Sequence, residues 1–289
     1  MTAGHDIPLS PQIDRLIDLA VEEDIGHGDI TTDAMGLSDR PGRAWIETKE
    51  PMVIAGLGLV PRVYERAGGL ASFQANAQDG DFIDSPDTVV AEMTGSLAAL
   101  LIGERIALNF LQRLSGIATH VRRHVDAMGS VPMRLTDTRK TVAGWRVLEK
   151  YAVRMGGAFN HRMGLYDGVL IKDNHIAACG SITAAINSVR GRVSHLVRIE
   201  VETETLAQVK EAVAAGADVI MLDNMDDAAI GKAVAHIGTL AEIEVSGRVD
   251  AGRMARLAEL GVNIVSMGAL THAARFVDLS MTVAPPGHD

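Results

Sequence analysis

Residues 137–146 read DTRKTVAGWR, and there an apolar run ends in two adjacent cations, Arg139 and Lys140, between the hydroxyls of Thr138 and Thr141. A guanidinium offers a planar fork that matches a carboxylate or phosphate bidentately, whereas an ammonium acts as a point charge. The pair is therefore suited to two anions side by side. Further along, GGAFNHR supplies a second fork, Arg162, beside the imidazole of His161, and other apolar runs end in chemistry of their own. They deliver Lys172, Asp173, Asn174 and His175; then Glu200 and Glu202; Asp223 and Asn224; Ser246 and Gly247; and Met267, Gly268 and Ala269. An unpaired charge closing an apolar strand is costly, so Lys172, Glu202 and Asp223 must meet one another, a metal or a ligand. The small residues of SG and MGA let backbone N–H groups approach a phosphate.

The elements that must position these groups follow from periodicity. From residue 131, short apolar runs alternate with helical patterns: VPMRLTD, GVLIKD, HLVRIEVE, DVIMLDN, AEIEVSG and VNIVSMG, with LAQVKEAVAAG and DAGRMARLAEL among the segments between them. Six such units predict a parallel sheet closed or nearly closed into a barrel, whose site lies at the C-terminal ends of the strands. No GxGxxG follows the first strand, which argues against a dinucleotide-binding sheet. Before it, Ser10 and Pro11 predict a helix over 11–24, GHGDITTD reads as a loop, and GRAWIETKE, MVIAG and TVVAEMTG read as strands around the helical VPRVYERAG. One long helix is predicted from about 96 to 120. The expected division is 1–115 as an N-terminal mixed α/β domain with its linking helix, 116–275 as the barrel, and 276–289 as a segment packing on the N-terminal domain.

Composition excludes several function classes. With 289 residues, 47% of them hydrophobic, the chain can fill a sizeable core. A net charge of −10 and only 3% aromatic residues argue against nucleic acid and anionic membranes. Any anion site must be local, and residues 131–173 hold eight cations to four acids. Within them Arg146, Lys150 and Arg154, spaced four apart, read as a solvated helix face. The lone Cys179 excludes an internal disulfide and reads as a small residue at a helix start; with no leader-like opening and no long apolar run, a cytoplasmic address is expected. GxSxG and HExxH are absent.

Carboxylates with Lys, Arg and backbone amides are what a phosphoribosyl diphosphate needs: cations for its phosphates, Mg2+ for its pyrophosphate, and negative charge near a cationic transition state at the ribose. The segments EEDIGHGDITTD, GERIALNFLQRLSGIAT, DTRKTVAGWRVLEKYAVRMGGAFNHRMGLYDGVLIKDNH, ADVIMLDNM and MGALTH resemble the quinolinate phosphoribosyltransferase family, in order and over about residues 22–280.

That resemblance implies transfer of phosphoribose to quinolinate with decarboxylation, giving nicotinate mononucleotide, pyrophosphate and CO2 with Mg2+, in NAD biosynthesis. It implies an N-terminal mixed α/β domain plus an open TIM-like α/β barrel, and a homodimer in which each subunit completes the other's site; it does not fix whether dimers assemble further. Carried over by motif, Arg139, His161, Arg162 and, from the partner's side, Arg105 resemble the quinolinate binders. Lys140 and Lys172 resemble phosphate and ribose contacts, with Thr138 beside them. Glu202 and Asp223 resemble the acids that hold Mg2+, directly or through water, and face the developing cation. Ser246, Gly247, Gly268 and Ala269 resemble the 5′-phosphate loops. The chain departs from the family pattern at Arg248, where Gly is usual, and at Ala143, where Pro is common. Two rivals stand beside this reading: a molybdenum-transport-associated paralogue of unknown substrate, and a non-catalytic anion-binding barrel.

Overall fold

The computed structural model describes residues 7, 8, 10–247 and 249–286. Arg248 and most of the opening segment read above for a leader lie outside the described residues. In chain order the elements are α1 (Pro11–Ile25), α2 (Ile30–Met35), β1 (Pro41–Thr48), β2 (Met52–Val53), α3 (Leu59–Tyr64), β3 (Ser72–Ala75), β4 (Phe82–Ile83), β5 (Val89–Ser96) and α4 (Leu97–Met128). There follow β6 (Arg134–Thr136), α5 (Arg146–Met155), β7 (Val169–Ile171), α6 (Asp173–Cys179), α7 (Ile182–Arg190), β8 (Ile199–Thr203), α8 (Leu206–Ala214) and β9 (Val219–Asp223). The chain closes with α9 (Asp227–Ile237), β10 (Glu242–Ser246), α10 (Ala251–Glu259), β11 (Ile264–Ser266), α11 (Ala269–His272) and β12 (Leu279–Ala284). Among the described residues no helix is long and apolar enough to cross a membrane.

The chain forms two compact units, and the division is not a single cut. Met1–Arg123, Thr141–Gly157 and Leu270–Asp289 make the first; His124–Lys140 and Ala158–Ala269 make the second. In the first, β12, β1, β5 and β3 form an antiparallel sheet, in that order. The period of two in GRAWIET buries Gly42, Ala44, Ile46 and Thr48 on one face. Helix α4 meets the returning chain at Gly116, where a Cβ would lie 2.1 Å from the Arg275 carbonyl oxygen, so that contact admits glycine only.

In the second unit β6, β11, β10, β9, β8 and β7 form one parallel sheet in that order. All six predicted strands are present, with helices between them. One face carries Leu135, Ile171, Val201, Ile220, Leu222, Ile243, Val245 and Val265, all buried. Apolar side chains of the helices, such as Ile186, Val209, Ile230 and Leu257, are buried too. Each such side chain contributes roughly 1.5–3 kcal/mol by leaving water. The opposite face carries polar residues at the alternate positions. Residues 158–168 link the free edge of β6 to that of β7: Phe159 bridges Thr136 in parallel, its N–H donating to the Leu135 carbonyl at 2.8 Å. The sheet is thus the open TIM-like barrel expected.

Five local expectations need correction. GHGDITTD is a loop only to Asp29, whose carboxylate accepts from the N–H groups of Thr31 (3.0 Å) and Thr32 (3.2 Å) and so starts α2. MVIAG pairs only at Met52–Val53, and the short strands β3 and β4 have no readable period. The long helix continues to Met128. Lys150 is not solvated: it is fully buried with Glu149, because α5 turns that flank inward. Cys179 closes α6 rather than starting a helix, and is exposed.

Candidate active site

Because residues paired across a parallel sheet share a face, register shows which side chains converge. Glu200 and Glu202 of β8 pair with Val219 and Met221 of β9; Met221 and Asp223 pair with Glu244 and Ser246 of β10; Ser246 pairs with Ser266 of β11, and Ser266 with Thr136. Leu170 pairs with Glu200, which puts Lys172, two residues on, at the same parity. Lys172, Glu202, Asp223 and Ser246 therefore occupy one polar face at its C-terminal end. The Lys172 ammonium contacts the Glu202 carboxylate. The Asp223 Oδ2 accepts from the Asn224 side-chain amide at 2.8 Å, and Asn224 has a positive φ of 54°. Gly247 follows with φ 128°, and a Cβ there would lie 3.2 Å from the Asn224 Oδ1, so backbone rather than side chain fills this corner.

The segment after β6 supplies the cations. The Thr138 hydroxyl accepts from the Lys140 N–H at 3.0 Å, a turn that leaves Arg139 and Lys140 exposed. Downstream, the chain is tied within the first unit: the Val142 N–H donates to Glu149 at 3.2 Å, and the Arg113 guanidinium donates to the same carboxylate at 2.6 Å. Trp145 stacks on Phe110 at 4.9 Å, and the Gln12 amide donates to the Gly144 carbonyl at 3.2 Å. Gly144 holds φ 83°, so the turn bends here with Ala143 before it.

Asp137, fully buried, anchors the second fork. It accepts from the His161 N–H at 2.9 Å and from the Asn160 amide at 2.7 Å, holding the NHR segment beside the end of β6. The Arg162 guanidinium donates to the Gly168 carbonyl at 3.0 Å. Partial burial, and then the nearby Arg139 guanidinium, lower its proton affinity from the usual arginine range, with Glu200 and Asp167 opposing. Arginine stays charged regardless. The two guanidinium groups thus feel each other's charge.

Beside Arg162 lies a group that the sequence does not announce. The His161 Nε2 is 3.1 Å from a Glu200 oxygen and 3.6 Å from a Glu244 oxygen, so a side chain arriving from beyond β6 meets acids from β8 and β10. Glu244 was missed because it lies mid-strand and not at a strand end. The available signal was parity: in EIEVS it takes the phase of Ser246, as Glu200 takes that of Glu202.

Thr138, Arg139, Lys140, His161, Arg162, Lys172, Glu202, Asp223, Ser246, Gly247, Gly268 and Ala269 all belong to the second unit, whereas Arg105 is exposed on α4 in the first. Gly268 and Ala269 follow β11, where the Met267 N–H donates to the Thr136 carbonyl at 2.9 Å.

Comparison with known proteins places these features in context. Residues 29–115 match the quinolinate phosphoribosyl transferase N-terminal domain and residues 117–282 its C-terminal domain. A probable carboxylating nicotinate-nucleotide pyrophosphorylase of Synechocystis is 44% identical over 94% of this chain and 92% of its own. Another from Bacillus subtilis is 42% identical over 94% and 93%. The crystal structure of NadC from Streptococcus pyogenes superposes with a TM-score of 0.91 at 40% identity, covering 97% of this chain and 99% of that one.

Proposed function

The chain belongs to the quinolinate phosphoribosyltransferase family, and from that premise we infer that it transfers phosphoribose from phosphoribosyl diphosphate to quinolinate with loss of CO2, yielding nicotinate mononucleotide and pyrophosphate in NAD biosynthesis. The observation that carries this reading is the polar face at the C-terminal end of the parallel sheet, which presents Lys172, Glu202 and Asp223 together, with Arg139 following β6 and Arg162 within reach of its charge. Relatives named as carboxylating pyrophosphorylases at above 40% identity favour it over the molybdenum-associated paralogue.

The chemistry follows from the groups. Arg139 and Arg162 grip the two carboxylates of the pyridine diacid and fix the ring nitrogen toward the ribose. Lys140 and Lys172 hold the phosphates, while the N–H groups around Ser246, Gly247, Gly268 and Ala269 receive the 5′-phosphate. As pyrophosphate leaves, positive charge develops on the ribose, and Glu202 and Asp223 face it with negative charge. The ring nitrogen then closes the bond and becomes cationic. The C–CO2 bond breaks into that cationic ring, which accepts the electron pair and takes up a proton. Glu202 and Asp223 also offer hard carboxylate oxygens on one face, a donor set that fits Mg2+ held directly or through water. Held by Glu202 and Asp223, Mg2+ would offset the charge of the pyrophosphate leaving group.

Arg105 sits in the first unit and is exposed; we assign it to the site of a second copy, so that a homodimer shares its sites. A cytoplasmic location fits the lone, unpaired Cys179. Purified protein is expected to release CO2 from carboxyl-labelled quinolinate only with both phosphoribosyl diphosphate and Mg2+. Turnover of nicotinate without release would move the assignment to a non-carboxylating enzyme. For the shared site, Arg105→Ala and Lys172→Ala, each inactive alone, regain activity when mixed. No recovery after confirmed subunit exchange contradicts sharing.

A further inference from the structure

We propose that Glu244 is a positioning residue that works protonated: with Glu200 and His161 it forms a cluster beside Arg162, and its neutrality preserves the site's preference for a doubly charged diacid.

The geometry fixes the protons. The His161 Nδ1 accepts from the Arg162 backbone N–H at 2.7 Å, so in this arrangement it carries no proton and the imidazole is the neutral Nε2–H form. That one N–H faces two carboxylates, Glu200 at 3.1 Å and Glu244 at 3.6 Å. A metal at Nε2 would need the proton on Nδ1, against the Arg162 N–H, so the cluster is built for protons rather than for a cation. Glu244 is 2% exposed and Glu200 7%, and each has one oxygen without a hydrogen-bond partner. Ser266, buried on the same face, faces Glu244 with its hydroxyl. Glu244, the more deeply buried of the two carboxylates, carries charge only at a cost that one neutral donor at 3.6 Å does not offset. The groups facing Glu244 agree: burial, and then Glu200, raise its proton affinity to about 7, against the opposing pull of Ser266 and Lys172 and of His161 in its protonated form.

The consequence is electrostatic. Glu200 and Asp167 already face Arg162 with negative charge, and ionisation of Glu244 adds more beside a fork that must hold a dianion. It also places like charge behind His161, whose ring holds the Arg162 backbone.

This inference rests on quinolinate being the acceptor, and two readouts separate the questions. Between pH 6 and 9 the quinolinate KM of the wild type is expected to rise about fivefold, the effect of roughly 1 kcal/mol of like-charge interaction. In Glu244→Gln, a permanently neutral isostere, it stays within about twofold. Phosphate titrations of the co-substrate are common to both proteins and cancel in the difference. Difference infrared spectra of the unliganded protein are expected to show a protonated-carboxyl band at pH 6 that is lost by pH 9 and is absent from Glu244→Gln. The proposal is overturned if Glu244→Gln keeps the wild-type rise, or if the band does not depend on Glu244. Should the protein not turn over quinolinate, the acceptor assignment fails, and the infrared band alone decides whether Glu244 holds its proton.

Discussion

Glu242 and Glu244 stand two residues apart on the same face of one strand, and the two ends of the sheet treat them differently. At the N-terminal end Glu242 is partly exposed and accepts from Arg198 at 2.9 Å and Arg134 at 3.4 Å, both half in solvent. Toward the C-terminal end Glu244 is buried, with an imidazole and another acid for company. The first arrangement is what stability asks of surface charge. The second is destabilising, and a fold that retains it does so for a site. Charges paired among themselves mark the structural end; forks, ammonium groups and crowded acids mark the chemical one.

The contrast can be broken most sharply by removing cations from each end. Arg139→Ala and Lys172→Ala are each expected to lower kcat/KM for quinolinate and phosphoribosyl diphosphate by roughly 10²–10⁴, the scale of losing a desolvated charged contact. Arg198→Ala, at the other end, is expected to leave kcat/KM within about twofold. Equal losses at both ends would erase the distinction.

Stability gives the next largest effect. Because the folded Glu244 binds its proton more tightly than the ordinary carboxyl at 4.5, its contribution to stability is fully present below about pH 4.5 and is lost as pH rises through about 7. Glu244→Gln is therefore expected to gain on the order of 3 kcal/mol over wild type at pH 8 and nothing at pH 4, measured by urea unfolding. Glu242→Gln changes stability by at most about 1 kcal/mol, and less at high salt. An unchanged Glu244→Gln at pH 8 would mean that the two acids are equivalent after all.

The smallest effect concerns backbone. Gly247→Ala, at φ 128° and against the Asn224 amide, is expected to cost about 1–2 kcal/mol of stability and to raise the KM for phosphoribosyl diphosphate while leaving the quinolinate KM nearly unchanged. A selective rise in the quinolinate KM would remove Gly247 from the phosphate loop.

Much of this was legible in the sequence where period and chemistry coincide. The six parallel strands declared themselves because each ends an apolar run in a polar group, and Lys172, Glu202, Asp223 and Ser246 were identified there and share one face. What escaped was decided by tertiary context. Asp29 starts α2 through a cap hidden in a loop-like segment. Lys150 shares the four-residue spacing of Arg146 and Arg154, and only the packing of α5 shows that it is buried. Glu244 escaped because an acid inside a strand is informative only once register shows which face it takes and which neighbours share it.

The central claim is that an aromatic diacid is held at the C-terminal end of the parallel sheet. A crystal structure with quinolinate tests it most directly. The ring is expected there, with its carboxylates on Arg139 and Arg162 and its nitrogen toward Glu202 and Asp223. Density for the diacid at the Arg134–Arg198 end, or against the antiparallel sheet of the first unit, would contradict it.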